Sequence, residues 1–206
     1  MAARRELHNL ALLSRYTLPA MPAIIAMLRG VNVGGHHKLK MDVLRALCAS
    51  LKFDCAQTLL QSGNVVFISS TRNLDQISNL LETAIEKKLG FRPAVILRTV
   101  PELRSVIAKS PFAKRSGLDP GRLVVSFLAA ATTPSARKAL LAMDIAPEEL
   151  HAHERELHIY FPNGQGRPRL SWALVDKILN KMPLTTRNWN TVTKLLEIAE
   201  SLEKGS

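Results

Sequence analysis

The chain has 206 residues and carries 28 Lys and Arg against 17 Asp and Glu, which gives a formal charge of +11 and a pI near 10.1. With 47% hydrophobic and 22% charged residues it has the composition of a folded globular chain, which excludes wholesale disorder and fibrous repeats. Its length suits one large domain or two small ones, and no run approaches the ~20 apolar residues that span a bilayer, so no membrane partner is expected.

The basic excess favours phosphate-bearing partners and is uneven along the chain. Between Lys87 and Arg122 stand nine basic residues against two acidic ones, Glu102 and Asp119. The two cysteines, Cys48 and Cys55, lack a Cys-x-x-Cys or Cys/His spacing, which fits a reducing, cytoplasmic setting. Cys48 falls on the apolar stripe of a helix and reads as a core thiol.

Residues 1–22 carry Arg4 and Arg5 ahead of Leu10, Leu12 and Leu13, with His8, Asn9 and Arg15 interrupting. They read as an N-terminal extension outside the fold, disordered or upstream of a true start at Met21, with a transit peptide as the alternative. The apolar run Ile24 to Leu28 then predicts a buried strand. Met41, Leu44, Leu47, Cys48 and Leu51 have helical spacing, with Asp42 in the first turn. Two β-rich runs, Thr58 to Gln61 and Val65 to Ile68, flank Ser62-Gly63-Asn64, residue types suited to a hairpin turn. Leu74 to Leu89 predicts a second helix closed by Gly90, and Ala94 to Leu97 another strand. The order is the βαββαβ of a ferredoxin-like, split-βαβ sheet.

The second half, from residue 100 on, opens with a helix from Pro101 to Ala108. There follow a strand at Leu123 to Leu128, a helix at Ser135 to Met143, a hairpin of Glu149 to His153 with Glu156 to Phe161, and helices at Leu170 to Leu179 and Thr191 to Leu202. The expectation is an α+β protein with a ferredoxin-like domain at residues 23–99. A related αβαββα domain at 100–206 suggests a loose internal duplication.

Three segments together resemble the family catalogued as domain of unknown function 1697. They are Leu28-Arg29-Gly30-Val31-Asn32-Val33-Gly34-Gly35, Gln61-Ser62-Gly63-Asn64-Val65-Val66-Phe67, and Thr185-Thr186-Arg187-Asn188-Trp189-Asn190-Thr191-Val192. The resemblance extends over about Ala23 to Glu200 and implies the fold but no activity. The chain departs from it at His36-His37, where a Lys or Asn is common, and at Leu60, where an aromatic is common.

The same segments are the candidate ligand site. Gly34 and Gly35 sit in a strand-to-helix loop whose backbone N–H groups can converge on an anion, with Asn32 in the loop and Arg29, Lys38 and Lys40 supplying side chains. The loop matches neither a Walker loop nor a dinucleotide fingerprint, and no cofactor is implied. Gln61, Ser62, Gly63 and Asn64 form the second polar element. Thr186, Arg187, Asn188, Trp189 and Asn190 form the third, with Asn188 or Asn190 capping the last helix and Arg187 offering a planar fork to phosphate. The expectation is that these three elements meet in one polar cleft. The bland alternative has Arg187 paired with a carboxylate, Trp189 packed between the halves and both Asn residues satisfying backbone groups.

In the second hairpin a two-residue turn at Glu154 and Arg155 would put His151, His153, Glu156 and His158 on one face and Leu150, Ala152, Leu157 and Ile159 on the other. The first set could ligate zinc, although a solvated histidine face explains the same alternation and no metal is assigned. No nucleophile elbow or zinc-protease helix is present, so the sequence declares no enzyme. The leading functional expectation is a binding protein for a phosphate-bearing ligand, with RNA slightly ahead of a small nucleotide because an antiparallel sheet can serve as a platform. Its rival is a small-molecule enzyme or ligand-binding protein using a polar cleft between the halves.

Overall fold

The structure, a computed structural model, describes residues 21–205. The expectations for the N-terminal extension therefore lie, apart from Met21 and Pro22, outside the described residues. The first half comprises β1 (Ala23–Leu28), α1 (Met41–Ser50), β2 (Asp54–Leu59), β3 (Asn64–Ile68), α2 (Leu74–Leu89), β4 (Val95–Thr99) and α3 (Val100–Ala108). The second comprises β5 (Leu123–Leu128), α4 (Pro134–Leu141), β6 (Glu149–Ala152), β7 (Glu156–Tyr160), α5 (Trp172–Ile178), β8 (Leu184–Asn188) and α6 (Trp189–Lys204). Each half is βαββαβα. Each folds into a four-stranded antiparallel sheet, in the orders β2-β3-β1-β4 and β6-β7-β5-β8.

The registers make the duplication explicit. Ile25 on β1 opposes Val66 and Arg98, while Val125 on β5 opposes His158 and Arg187. Positions 66 and 158 therefore correspond, as do 98 and 187. Likewise Met27 opposes Asn64 and Phe127 opposes Glu156, so 64 and 156 correspond. The α+β architecture in two related halves is the expected one, with one added strand and with the helix read as opening the second half instead closing the first, as the counterpart of α6. Leu184-Thr185-Thr186-Arg187-Asn188, read from sequence as a polar motif, is β8. Its inward side chains, Thr185 and Arg187, are polar, so it lacks the apolar alternation that announces a strand.

The outer face of the first sheet packs against α1 and α2 through Ile24, Ala26, Val65, Phe67, Leu44 and Leu81. The outer face of the second packs against α4 and α5 through Val124, Leu157, Ile159, Leu140 and Val175. Between the halves a shared core joins Ile25, Met27 and Val66 of one sheet to Val125 and Phe127 of the other, with Leu103 of α3 and Leu195 of α6 between them. Both central strands, β1 and β5, are buried along their whole length.

Local chemistry sets the helix ends. Asn73 caps α2 and Gly90 closes it in the left-handed conformation, while Thr99 and Glu102 form a reciprocal capping box on α3. Helix α3 has 9 residues and its counterpart α6 has 16. The short helix stops just before Ser110-Pro111, because the residue ahead of a proline is pushed out of the α region.

The β2–β3 turn lies earlier than the sequence suggests, with Leu60 and Gly63 at positive φ and Asn64 already in β3. Gly63 has φ +74°, and a Cβ there would stand 2.3 Å from Val31 Cγ2 and 3.0 Å from Leu28 Cβ. Gly117 has a similar φ of +77° with nothing within 4 Å. Chemical denaturation is therefore expected to show Gly63→Ala losing about 3 kcal/mol, with Gly117→Ala losing only ~1 kcal/mol for its strained φ. Equal losses would place the cost in φ alone.

Candidate functional site

The three polar elements read from sequence do meet, and Arg187 is where they meet. From β8 its side chain enters the first half and is buried. Its Nε donates to Asn64 Oδ1, and its Nη2 donates to Leu28 O at 2.8 Å and Ser62 O at 3.0 Å. Its Nη1 donates to Thr185 Oγ1 at 2.7 Å and Thr186 O at 2.9 Å. A guanidinium has five N–H donors, so Arg187 keeps none for an anion. Burial pulls its pKa down to about 10. Asn64 Nδ2 in turn donates to Leu59 O and Ser62 Oγ, which braces the turn against the arginine.

The glycine loop is fastened in the same manner. Asn32, at positive φ, donates from Nδ2 to Leu39 O at 2.8 Å and Gln61 O at 2.7 Å, and its Oδ1 accepts from Leu39 N. His37 stacks on Phe91 and its Nδ1 lies 3.2 Å from Gly30 O. Asn188 is the cap of α6, its Oδ1 accepting from Asn190 N while its Nδ2 donates to Gly121 O. Trp189 packs in the apolar clusters at the junction. Arg29, Gly34, Gly35 and Lys38 remain exposed around the loop, as does Lys40 at its helix end. The polar motifs thus spend their hydrogen-bonding capacity largely on joining elements, as the bland alternative has it, except that Arg187 meets an amide, a hydroxyl and carbonyls and not a carboxylate.

A reciprocal arginine comes from the first half. Arg98, 1% exposed on β4, donates from Nε to Glu156 Oε1 at 2.9 Å, from Nη1 to Leu97 O, and from Nη2 to Leu128 O and Arg155 O. Burial lowers its pKa, and the Glu156 carboxylate opposes that shift. The partners of Arg98 match those of Arg187 in kind and place: Glu156 corresponds to Asn64, Leu128 to Leu28 and Leu97 to Thr186.

Beside Arg98 opens a cleft of about 560 Å³ between the halves. Arg98, Glu102 and Lys109 line it from the first half, and Arg137, His153, Arg155 and His158 from the second. It exists because α3 is shorter than α6, so the part of the second sheet that matches the area under α6 is left partly uncovered. Where the first sheet presents Asn64 and Val66 to α6, the second presents Glu156 and His158 to this space.

The cleft holds buried polar atoms that lack hydrogen-bond partners: Arg137 Nε, Arg155 Nε, His153 Nε2 and both ring nitrogens of His158. Buried polar groups are normally satisfied, and orphans gathered in one cavity mark a place where a ligand or water completes them. Arg155 is paired with Glu102 at 3.1 Å and Arg98 with Glu156, which leaves Arg137 and Lys109 as cleft cations without an ion pair among the described residues. Burial first, then the neighbouring His153 and His151, push the His158 pKa down to about 4, so its imidazole is neutral at pH 7.

The hairpin has the expected register, with His151 opposite His158, His153 N donating to Glu156 O, and Leu150, Ala152, Leu157 and Ile159 on the core side. Its four polar residues do not gather round a point. His153 meets His158 edge to face at 5.3 Å, His151 packs on Phe112, and Glu156 is held by Arg98. No cluster of three or more His, Cys, Asp or Glu able to hold a metal occurs among the described residues. Sequence reasoning missed Arg98, Lys109, Arg137 and Arg155 as cleft residues. The available signal was an arginine closing the apolar run Val95-Ile96-Leu97.

Fold and site together define a two-half α+β protein with a mixed-charge cleft at the junction. The model of the family described as protein of unknown function DUF1697 matches residues 21–158, and the chain belongs to that family. Among solved structures it is similar to the conserved bacterial protein SP0830 from Streptococcus pneumoniae. The identity is 20% and the TM-score 0.65, covering 88% of this chain and 99% of the other. That likeness concerns the fold. No curated protein matches the chain.

Removing the Arg187 guanidinium would orphan the acceptors it serves, so Arg187→Met is expected to cost about 3–5 kcal/mol in denaturant unfolding. Glu156→Gln leaves Arg98 an amide acceptor like the one Asn64 gives Arg187, and is expected to cost only ~1–2 kcal/mol. Comparable losses would argue against the correspondence of the two arginines. A second expectation concerns pH. The unfolded chain protonates His158 below its ordinary 6.5 and the folded chain only below about 4. Stability from this group is therefore complete above pH 6.5 and falls by ~3 kcal/mol as pH drops towards 4. Unfolding measured across that range should show a shallower slope for His158→Val.

Proposed function

We propose that the protein binds a small phosphate-bearing ligand in the cleft between its halves. The observation that carries this reading is that four residues lining one cavity, Arg137, Arg155, His153 and His158, each hold a buried polar atom without a partner. Its size lies within the ~300–1,000 Å³ of small-molecule sites. Arg137 presents a planar fork suited to phosphate and Lys109 a mobile point charge, neither in an ion pair among the described residues. The two cysteines are unpaired, Cys48 buried with its thiol pushed up to about 12 by burial, which accords with a cytoplasmic setting.

Nucleic acid, favoured by the charge of +11, ranks behind this reading. Of the nine basic residues between Lys87 and Arg122, five are paired with acids: Arg92, Arg98, Arg104, Arg115 and Arg122. The central strands of both sheets are buried along their whole length, which leaves little platform for stacked bases. Among the described residues no aromatic side chain ranks with the exposed large hydrophobics.

The test is calorimetric titration of the full chain with inorganic phosphate, beside a mixed RNA pool, at two salt concentrations. Phosphate is expected to bind with a Kd on the order of 1 mM, weakened about tenfold or more in Arg137→Ala. RNA is expected to show no retention at the higher salt. RNA binding that persists there, with no phosphate heat and no effect of Arg137→Ala, would move the function to a nucleic-acid surface.

A further inference from the structure

The cleft is lined by two histidines as well as by charged side chains of both signs. His158 is fully buried on β7, and neither ring nitrogen has a partner. Its counterpart in the first half is Val66, equally buried but packed under α6. The fold therefore accepts an apolar side chain at this place, and packing does not call for the imidazole. Beside it His153, whose counterpart is Leu59, also has a buried nitrogen, Nε2, without a partner. The two rings lie 5.3 Å apart, edge to face.

A neutral imidazole has one N–H that donates and one nitrogen that accepts. A phosphate oxygen without a proton can only accept, so phosphate alone leaves the accepting nitrogen of His158 unsatisfied. A hydroxyl both donates and accepts, and two neighbouring hydroxyls match two neighbouring imidazoles. Among the described residues no Phe, Tyr or Trp lines the cleft.

Resting on the phosphate-site reading above, we infer that the ligand is the phosphomonoester of a polyhydroxy compound. Its phosphate lies at Arg137 and Lys109, and a pair of adjacent hydroxyls lies at His158 and His153. Arg137 and Lys109 supply charge, and the histidines supply the discrimination. A site whose buried polar groups are built for hydroxyls rejects an analogue lacking them, because those groups are then desolvated and unpaired.

The experiment compares glycerol 3-phosphate with propyl phosphate, which differ by two hydroxyls, on the full chain by calorimetric titration. Inorganic phosphate and adenosine monophosphate serve as further arms. The unsubstituted protein is expected to prefer glycerol 3-phosphate about tenfold or more. In His158→Val, which installs the residue of the first half, that ratio should fall to about one. His153→Leu, which follows the first half at Leu59 in the same way, should lower it as well and serves if the first variant does not fold. Equal binding of the two esters by the unsubstituted protein, or a preference that survives both substitutions, overturns the inference while leaving the phosphate site standing. Absence of binding by every phosphate probe overturns the site and the inference together. Tighter binding of adenosine monophosphate than of glycerol 3-phosphate would overturn the assignment to a polyol in favour of a nucleotide.

Discussion

Two buried guanidinium groups fix how the halves of this protein meet. Arg98 and Arg187 stand at corresponding positions on β4 and β8, and each reaches into the opposite half. Each donates to the carbonyl that ends the other half's first strand, Leu128 for Arg98 and Leu28 for Arg187. Apolar packing alone would hold the halves together but would tolerate sliding, because the hydrophobic effect is non-directional. Hydrogen bonds from a rigid fork to backbone carbonyls have narrow geometry and set the register of one sheet against the other. Charge burial in itself gives little net stability, so specificity of docking is the better account of why these arginines are inside.

The two staples are not electrostatically equal. Arg98 meets the carboxylate of Glu156, whereas Arg187 meets the neutral amide of Asn64 and relies on carbonyl and hydroxyl dipoles. The Arg187 side is the closed one, where the long α6 covers Val66 and Ile68 in a continuous apolar core. The Arg98 side is the open one, where α3 ends early and Glu156 and His158 border the cleft. A carboxylate bordering an open cleft keeps part of its hydration, whereas one sealed beneath α6 would carry a larger desolvation cost. The neutral partner thus falls on the sealed side and the charged one on the wet side.

The sequence made most of the framework legible because helix and strand periods differ and because caps are local. Leu74 to Leu89 with Asn73 and Gly90, and the run Leu123 to Leu128, could be read from their own residues. β8 could not, since Thr185 and Arg187 face inward as polar groups matched to carbonyls far away in the chain. The convergence of Asn32, Asn64 and Arg187 was legible as a pattern of polar motifs, but its purpose was not. Only the bond count around Arg187 separates a staple from an anion seat. The cleft residues were illegible for a related reason: the space depends on the length of α3 compared with α6, a relation between two segments in opposite halves of the chain.

Internal duplication gives a physical route to such a site. Two like halves joined about reciprocal contacts bury like surfaces, and a strictly symmetric pair would close both clefts with equal helices. Here Pro111 follows soon after the end of α3 while α6 continues for 16 residues, so symmetry is broken at one place by helix length. Once the helix no longer covers position 158, an apolar side chain there gains less from packing. A histidine then costs the fold less than it would at position 66. The polar residues of the second hairpin are therefore best understood as occupants of a core position that the shorter helix has vacated, where the requirement for apolar packing is relaxed.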